Sequence, residues 1–221
     1  MSLTPQLLAA LEETADGDAD ELAYLAVTSK PEIQVRDRLA YALHKRLLGS
    51  NPPILVAREW ARRGVARGRR VDLALIEGDQ PRVLLEAKAM TTYNVTVAKD
   101  RKRYRETVMR DLNSTRAVAA RAGASDAEVF ALVLVTLIDG QIPPEHDDVI
   151  KYARRLRRTP FDSDAIDDAL TSFLGEDLVP HAVTLAKGSP FGLPTALKAW
   201  LYGPYRANEP ARQSRSRPRD R

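Results

Sequence analysis

Hydrophobic residues in the first part of the chain recur at the three- and four-residue spacing of amphipathic helices. Thr4 and Pro5 suit a helix start. Amides in the first turn of a helix have no partner within the helix, so proline, which lacks the amide hydrogen, is tolerated there. A second short helix is predicted over residues 20–28. A third is predicted from residue 29 to Gly49, since glycine readily closes a helix.

After residue 51 the pattern changes to short runs rich in branched apolar residues, which are typical of strands. Strands are predicted over residues 54–60, 71–76 and 82–89. The turn-rich segment 77–81 joins the last two of these strands as a predicted hairpin.

A long polar helix is predicted over residues 99–122, because apolar side chains recur there at every fourth position. The next strand, 128–138, is the most apolar segment, which indicates a central strand covered on both faces. The remaining predicted elements are helices over 147–157 and 164–174, a strand over 181–186 and a helix over 194–201. This order predicts an α/β fold with a mixed central sheet flanked by helices.

Composition narrows the class of protein. The 221 residues, of which 44% are hydrophobic and 29% charged, suit one globular domain with a small extension. The chain has no cysteine, which excludes a disulfide framework, thiolate metal sites and cysteine catalysis, and favours a cytoplasmic location. The longest apolar run, residues 129–138, is too short to cross a bilayer, so no membrane partner is expected.

The formal net charge of +4 belongs entirely to the end of the chain. Residues 206–221 contain six arginines against Glu209 and Asp220, and six minus two is four. This segment is predicted to be a disordered basic tail, because it has almost no apolar residues. Since residues 1–205 are formally neutral, the basic isoelectric point does not by itself identify a nucleic-acid-binding fold.

The predicted hairpin brings three ionisable residues together. If its strands pair across the loop 77–81, Asp72 faces Glu86, and the alternation of side chains places Lys88 on the same face. The opposite face is apolar. Two facing carboxylates repel each other unless a cation lies between them, and Mg²⁺ or Mn²⁺ prefers such oxygen ligands. The pattern therefore predicts a hydrolytic metal site, with a structural ion pair as the alternative.

In these residues the chain resembles the PD-(D/E)xK nuclease superfamily, whose restriction-endonuclease-like core has the order αβββαβ. The matching residues are Asp72 and the tripeptide Glu86-Ala87-Lys88, while Val71 stands where the family name has proline. The resemblance implies that Asp72, Glu86 and the main-chain carbonyl of Ala87 hold Mg²⁺ or Mn²⁺. It also implies that Lys88 takes part in activating the attacking water.

Glu32 is a further candidate site residue. Residues 32–39 match a pattern, E-x-x-x-R-x-x-L, that is common in the first core helix of that superfamily, and the resemblance implies that Glu32 tunes the site. Alternatively, Ser29 and Glu32 form a capping box in which Glu32 accepts a hydrogen bond from the Ser29 amide. Asp37 is a second candidate for the same role.

Two basic clusters flank the predicted site in sequence and suit contacts with nucleic-acid phosphates. Solvated surface charge in an arginine-rich chain is the alternative for both clusters. The stacking candidate Tyr104 lies inside the second cluster, where a core role is its alternative. The clusters consist of Arg62, Arg63, Arg67, Arg69 and Arg70, and of Lys99, Arg101, Lys102, Arg103 and Arg105.

These expectations divide the chain into an N-terminal helical extension (1–28), a nuclease-like domain (29–205) and the basic tail (206–221). The expected function is a Mg²⁺- or Mn²⁺-dependent deoxyribonuclease that hydrolyses phosphodiester bonds in restriction, defence, repair or mobile-element processing. The alternatives are a non-catalytic nucleic-acid-binding module on the same fold and an interaction protein whose motif match is accidental. DNA is the expected partner, and a homodimer and separate partner proteins are further expectations.

Overall fold

A six-stranded mixed sheet with helices on both faces forms the α/β fold of the computed structural model. The structure describes residues 2–61, 69–159, 161–175 and 179–208. The strands are β1 (Ile54–Trp60), β2 (Val71–Glu77), β3 (Gln80–Thr91), β4 (Glu128–Ile138), β5 (His181–Gly188) and β6 (Thr195–Arg206). The helices are α1 (Thr4–Glu13), α2 (Ala19–Thr28), α3 (Glu32–Leu47), α4 (Thr92–Thr96), α5 (Ala98–Arg121), α6 (Ala153–Leu156) and α7 (Ser163–Thr171).

The strands lie in the order β1-β2-β3-β4-β6-β5, and only the pair β3 and β4 is parallel. Helices α4 and α5 make the crossover between these two strands, as a parallel connection requires. Strand β4 is buried along its whole length, which confirms the prediction of a central strand. The carboxyl ends of β3 and β4 therefore meet at one edge of the sheet.

Each face of the sheet has its own hydrophobic core. Helices α1, α2 and α3 cover one face, where Leu7, Leu22 and Leu39 pack against apolar side chains of β2, β3 and β4. Helices α5 and α7 cover the other face through Leu112 and Ile166. Helices α1 and α2, the predicted extension, therefore share one hydrophobic core with α3. Among the described helices, none has the length and hydropathy needed to span a membrane.

The hairpin of β2 and β3 has the predicted register over most of its length. Leu73 pairs with Leu85 and Ala74 with Leu84, and the same register continued by one residue places Asp72 opposite Glu86. Near the turn the register shifts by one residue, and the predicted five-residue loop is replaced by a tight turn. Gly78 occupies this turn at φ 62°, a conformation that glycine adopts without strain.

Two predictions about the later elements are wrong. The helix predicted over 194–201 is part of β6, which pairs with both β4 and β5. Its apolar side chains enter both cores, and such a two-sided apolar run does not distinguish a strand from a helix. The helix predicted over 147–157 is reduced to α6, because Tyr152 has a left-handed backbone.

The first residues of the predicted basic tail are ordered against the sheet. Strand β6 continues to Arg206, whose guanidinium donates a hydrogen bond to the main-chain carbonyl of Asp126 at 2.8 Å. Ala207 and Asn208 form a turn after the strand. The rest of the predicted tail, residues 209–221, lies outside the described residues.

Candidate active site

Strand β3 is longer than its neighbour β2, and the candidate site lies where β2 stops. The antiparallel pairing of the two strands reaches Leu73 and Leu85, whereas pairing with β4 continues to Thr91. The last residues of β3 thus have a strand partner on one side only. On the other side their main-chain polar groups need different partners, because an unpaired buried amide costs free energy.

Two of the predicted carboxylates accept hydrogen bonds from these amides. Asp72 Oδ2 accepts from the Ala87 amide at 2.8 Å, and Glu32 Oε1 accepts from the Ala89 amide at 2.5 Å. In a strand the N–H and C=O groups of one residue point to the same side. The carbonyl oxygens of Ala87 and Ala89 therefore face the same open edge as the two carboxylates.

The carboxyl group of Glu86 is mostly buried, with 15% of its side chain exposed. Burial raises the pKa of Glu86 to about 7, and the negative charges of Asp72 and Asp111 act in the same direction. A hydrogen bond from Thr115 Oγ1, at 2.5 Å, and the charge of Arg69 oppose this increase. Glu86 is thus poised to bind a proton or a cation near neutral pH.

Lys88 is positioned by a carboxylate from helix α5. Its Nζ lies 3.5 Å from Asp111 Oδ2, and Arg69 Nη2 lies 3.3 Å from Asp111 Oδ1. Arg69 Nη2 also lies 3.6 Å from Glu86 Oε1. Asp111 therefore contacts both positively charged side chains of the site, Lys88 and Arg69. Arg69 in turn connects Asp111 to Glu86.

The sequence prediction did not include Asp111 and Thr115. They lie one helical turn apart on α5 and so share a face. Thr115 is fully buried, and Asp111 precedes the buried Leu112. Asp111 could have been recognised in the sequence as a charged residue on the otherwise apolar face of the long amphipathic helix.

Glu32 does not take part in the capping box that was the alternative to a site role. The N-cap of α3 is Pro31, and no side chain caps this helix. The amide and hydroxyl of Ser29 both donate to the Leu25 carbonyl, which closes α2 instead. Asp37 forms ion pairs with arginines of α3 and β1 and does not enter the site.

The predicted basic residues divide into three groups. Arg69 lies inside the site, paired with carboxylates, whereas Arg70 forms a surface ion pair of 2.7 Å with Glu59. At the start of α5, Lys99 and Lys102 are exposed and Arg101 donates to the Val95 carbonyl at 3.4 Å. The loop residues lie outside the described part of the chain, namely Arg62, Arg63 and Arg67.

Tyr104 is half-buried beside the site. Burial raises the pKa of its hydroxyl, and the charges of Tyr93, Tyr152 and Glu32 contribute in the same direction. The residue also packs against the hydrophobic core on the α5 face of the sheet. It belongs neither to the hydrophobic interior alone nor to the basic surface beside it.

The oxygen atoms of the site fit a divalent cation that prefers oxygen ligands. Within the described residues, no three acidic, histidine or cysteine side chains are grouped to hold one metal ion. Asp72, Glu86 and the Ala87 carbonyl form a smaller set, and Mg²⁺ commonly uses one or two carboxylates and keeps several waters. The carboxyl groups of Asp72 and Asp111 both contribute to the raised pKa of Glu86, so a bound cation would relieve their repulsion.

Comparisons of the chain with protein-family models, with curated proteins and with solved structures found no match. The function must therefore be inferred from the side chains themselves. They combine a buried carboxyl that titrates near neutral pH, a second carboxylate beside it and a lysine held by a third. Groups with perturbed pKa values and specific charge partners are typical of functional sites.

Proposed function

We propose that the protein is a divalent-metal-dependent nuclease of the PD-(D/E)xK type that hydrolyses DNA phosphodiester bonds. The observation that carries this proposal is the position of Glu86. Its carboxyl group is buried near the negative charges of Asp72 and Asp111, and it lies beside the guanidinium of Arg69. Lys88 extends that network, and its sequence position matches the superfamily motif. The order α3, β1, β2, β3, α5, β4 also follows the αβββαβ core, with the short helix α4 inserted.

Asp72, Glu86 and the Ala87 carbonyl would hold Mg²⁺ or Mn²⁺, which when bound polarises a phosphate and lowers the pKa of a water. Lys88 presents a positive charge toward the reacting phosphate, where negative charge increases in the transition state. Asp111 orients the Lys88 ammonium at 3.5 Å, which reduces the number of conformations available to this flexible side chain.

Arg69 and Glu32 support the reacting groups from opposite sides. The guanidinium of Arg69 is engaged with Asp111 and Glu86, so it limits the repulsion between these carboxyl groups. Glu32 holds the open edge of β3 through the Ala89 amide. In this proposal both are positioning residues, because Arg69 holds two carboxyl groups of the site and Glu32 holds the strand that carries Glu86 and Lys88.

The test is cleavage of plasmid and linear DNA by the purified protein with Mg²⁺ or Mn²⁺, and in EDTA. We expect Lys88→Ala to lower the rate by roughly 10²–10³-fold, the range for loss of one group that stabilises charge in the transition state. Glu86→Ala should lower it at least as much. The matched controls are Lys198→Ala and Asp167→Ala, because these residues form another lysine–carboxylate pair, at 2.9 Å, away from the site.

Each outcome of this experiment has a distinct meaning. Metal-dependent cleavage by wild type and both controls, lost in the two site variants, supports the proposal. Equal cleavage by all five proteins would indicate contamination and contradict it. DNA binding without product under any metal would favour a non-catalytic nucleic-acid-binding module instead. Thermal unfolding of every variant separates loss of activity from loss of fold.

A further inference from the structure

A solvent-open cleft lies at the carboxyl ends of the parallel strands β3 and β4. It is a shallow depression that opens to solvent, and its walls come from the α2–α3 connection, α5 and the turn before α6. In open α/β sheets, ligands bind preferentially outside the carboxyl ends of the strands. The position in the fold therefore favours a binding role for this cleft.

The cleft is lined by aromatic rings and positive charges. Tyr104 and Tyr152 line it, and the ring of Tyr93 packs edge-on against Tyr152 with centroids 5.9 Å apart. Lys151 Nζ lies 5.5 Å from the centre of the Tyr152 ring, and Arg155 lies 5.3 Å from that of Tyr93. Aromatic faces beside cations are the combination that binds single-stranded nucleic acid, in which bases stack and phosphates need counter-charges.

Tyr152 has an unusual backbone for such a large residue. Its φ of 64° and ψ of 21° lie in the left-handed region, which bulky side chains rarely adopt. Strained residues of this kind cluster at ligand-binding sites, where the surrounding structure holds them in place. The left-handed residue immediately precedes α6, and its ring lies at the cleft, with 43% of the residue exposed.

Two lysines of the cleft have charges that are not matched by acidic partners. Lys30 and Lys151 line the cleft, and neither forms an ion pair with a carboxylate of the described residues. The main chain of Lys151 is fixed by a 2.8 Å hydrogen bond from its amide to the Val27 carbonyl. Both ammonium groups therefore keep an unneutralised positive charge beside the cleft, and that of Lys151 lies over the Tyr152 ring.

The cleft adjoins the candidate active site. Ala89 lines it, and the amide of this residue is the one that Glu32 holds. Ala89 is three residues beyond Glu86, which corresponds to roughly 10 Å along an extended strand. A ligand in the cleft would therefore be next to a phosphate at the site.

We propose that this cleft binds an unpaired nucleobase of the strand being cut, stacked on Tyr152, with neighbouring phosphates beside Lys30 and Lys151. This inference rests on the proposed nuclease function and specifies its substrate class as single-stranded or locally unpaired DNA. A base inside a duplex is stacked on its neighbours and must be extruded before it can enter such a cleft. Continuous duplex is therefore the poorer ligand.

The test measures binding of a single-stranded oligonucleotide containing 2-aminopurine, and of its perfect duplex, in EDTA so that no cleavage occurs. We expect the single strand to bind at least tenfold more tightly, with quenching of the 2-aminopurine fluorescence. Tyr152→Ala should weaken single-strand binding by roughly 5- to 100-fold, as expected for one stacked base, and Tyr152→Phe should retain it. Lys151→Glu, which reverses the charge of a half-buried residue without removing a ring, should also weaken binding.

Tyr41→Ala is the matched control. Tyr41 is a 64% exposed tyrosine of α3 whose ring carries Lys45 Nζ at 5.3 Å, so it has the same chemistry outside the cleft. If Tyr152→Ala and Lys151→Glu bind the single strand as Tyr41→Ala does, or if duplex binds equally well, the cleft proposal is wrong even though cleavage persists. If no metal supports cleavage but quenching still depends on Tyr152, the nuclease proposal fails, and only the binding of single-stranded DNA at the cleft is supported.

Discussion

At the scale of single residues, Glu86 has the clearest measurable consequence, because its pKa is about 7 in the folded chain and near 4.5 in an unfolded one. Between these pH values the folded state keeps a proton that the unfolded state has lost. The free energy of unfolding therefore decreases as pH rises through this window. The difference between about 7 and 4.5 corresponds to roughly 3 kcal/mol.

Glu86→Gln should remove this dependence, because the amide is neutral and still offers an oxygen to Thr115. In EDTA we expect Glu86→Gln to be more stable than wild type at pH 8 by up to roughly 3 kcal/mol, with the difference vanishing toward pH 4. Urea unfolding at several pH values measures it. Glu77→Gln, a change in a half-exposed surface pair with Arg82, is the control. Parallel stability curves for wild type and Glu86→Gln would contradict the prediction.

The sequence was sufficient to predict which hairpin residues share a face, since side chains alternate along any strand. Asp72, Glu86 and Lys88 follow from that alternation and from a pairing register that a one-residue shift near the turn preserves despite the shorter loop. Arg69 was predicted to contact DNA, but it lies against Glu86 and Asp111. Spacing along α5 does not reveal which strand residues this helix will cover, so these interactions could be found only from the folded chain.

At the scale of secondary-structure elements, the open edge of β3 depends on Glu32. Glu32→Ala leaves the Ala89 amide without its acceptor, and we expect a loss of roughly 1–3 kcal/mol in the free energy of unfolding. Glu32→Gln retains an oxygen acceptor and should keep most of the free energy of unfolding that Glu32→Ala loses. Hydrogen–deuterium exchange over residues 86–91 should be faster in Glu32→Ala. The control is Asp37→Ala, because Asp37 also lies on α3 but pairs with arginines. Faster exchange at Ser29 instead of β3 would contradict the role assigned to Glu32.

The elements that were predicted correctly and those that were not differ in a physical way. Strands β2 and β3 alternate around a recognisable turn, so local pattern and tertiary pairing agree. Strand β6 has apolar side chains in both cores, and its pairing with β4 decides its conformation. The left-handed Tyr152 could not be predicted, because no propensity favours that backbone in a tyrosine.

At the scale of the whole molecule, the candidate site joins the two helical layers. Glu32 comes from α3 on one face of the sheet, whereas Asp111 and Thr115 come from α5 on the other. They meet at β3 because β2 stops short and leaves its edge open. Assembly of the site therefore requires that both layers pack against the sheet, and a variant that loosens either layer should affect the site.

The basic tail acts, in our expectation, at this same scale by increasing affinity for DNA without taking part in chemistry. Residues 209–221 contain five arginines and two acidic residues, so five minus two gives +3 of the chain's net +4. Truncation after Asn208 should weaken DNA binding. It should also make the salt dependence of log K shallower by about 0.7–0.9 for each phosphate that the tail neutralises in the full-length chain.

Cleavage at saturating DNA should be unchanged by the truncation, because every residue of the candidate site lies before the tail. Replacing the tail arginines by glutamine in the full-length chain is the matched control, since it removes charge but keeps length. The replaced residues are Arg212, Arg215, Arg217, Arg219 and Arg221. If charge is the cause, the glutamine variant should bind no more tightly than the truncated chain, because its net charge is 4 − 5 = −1 and that of the truncated chain is 4 − 3 = +1. Loss of cleavage at saturating DNA in either variant would show that the tail contributes to the active site itself.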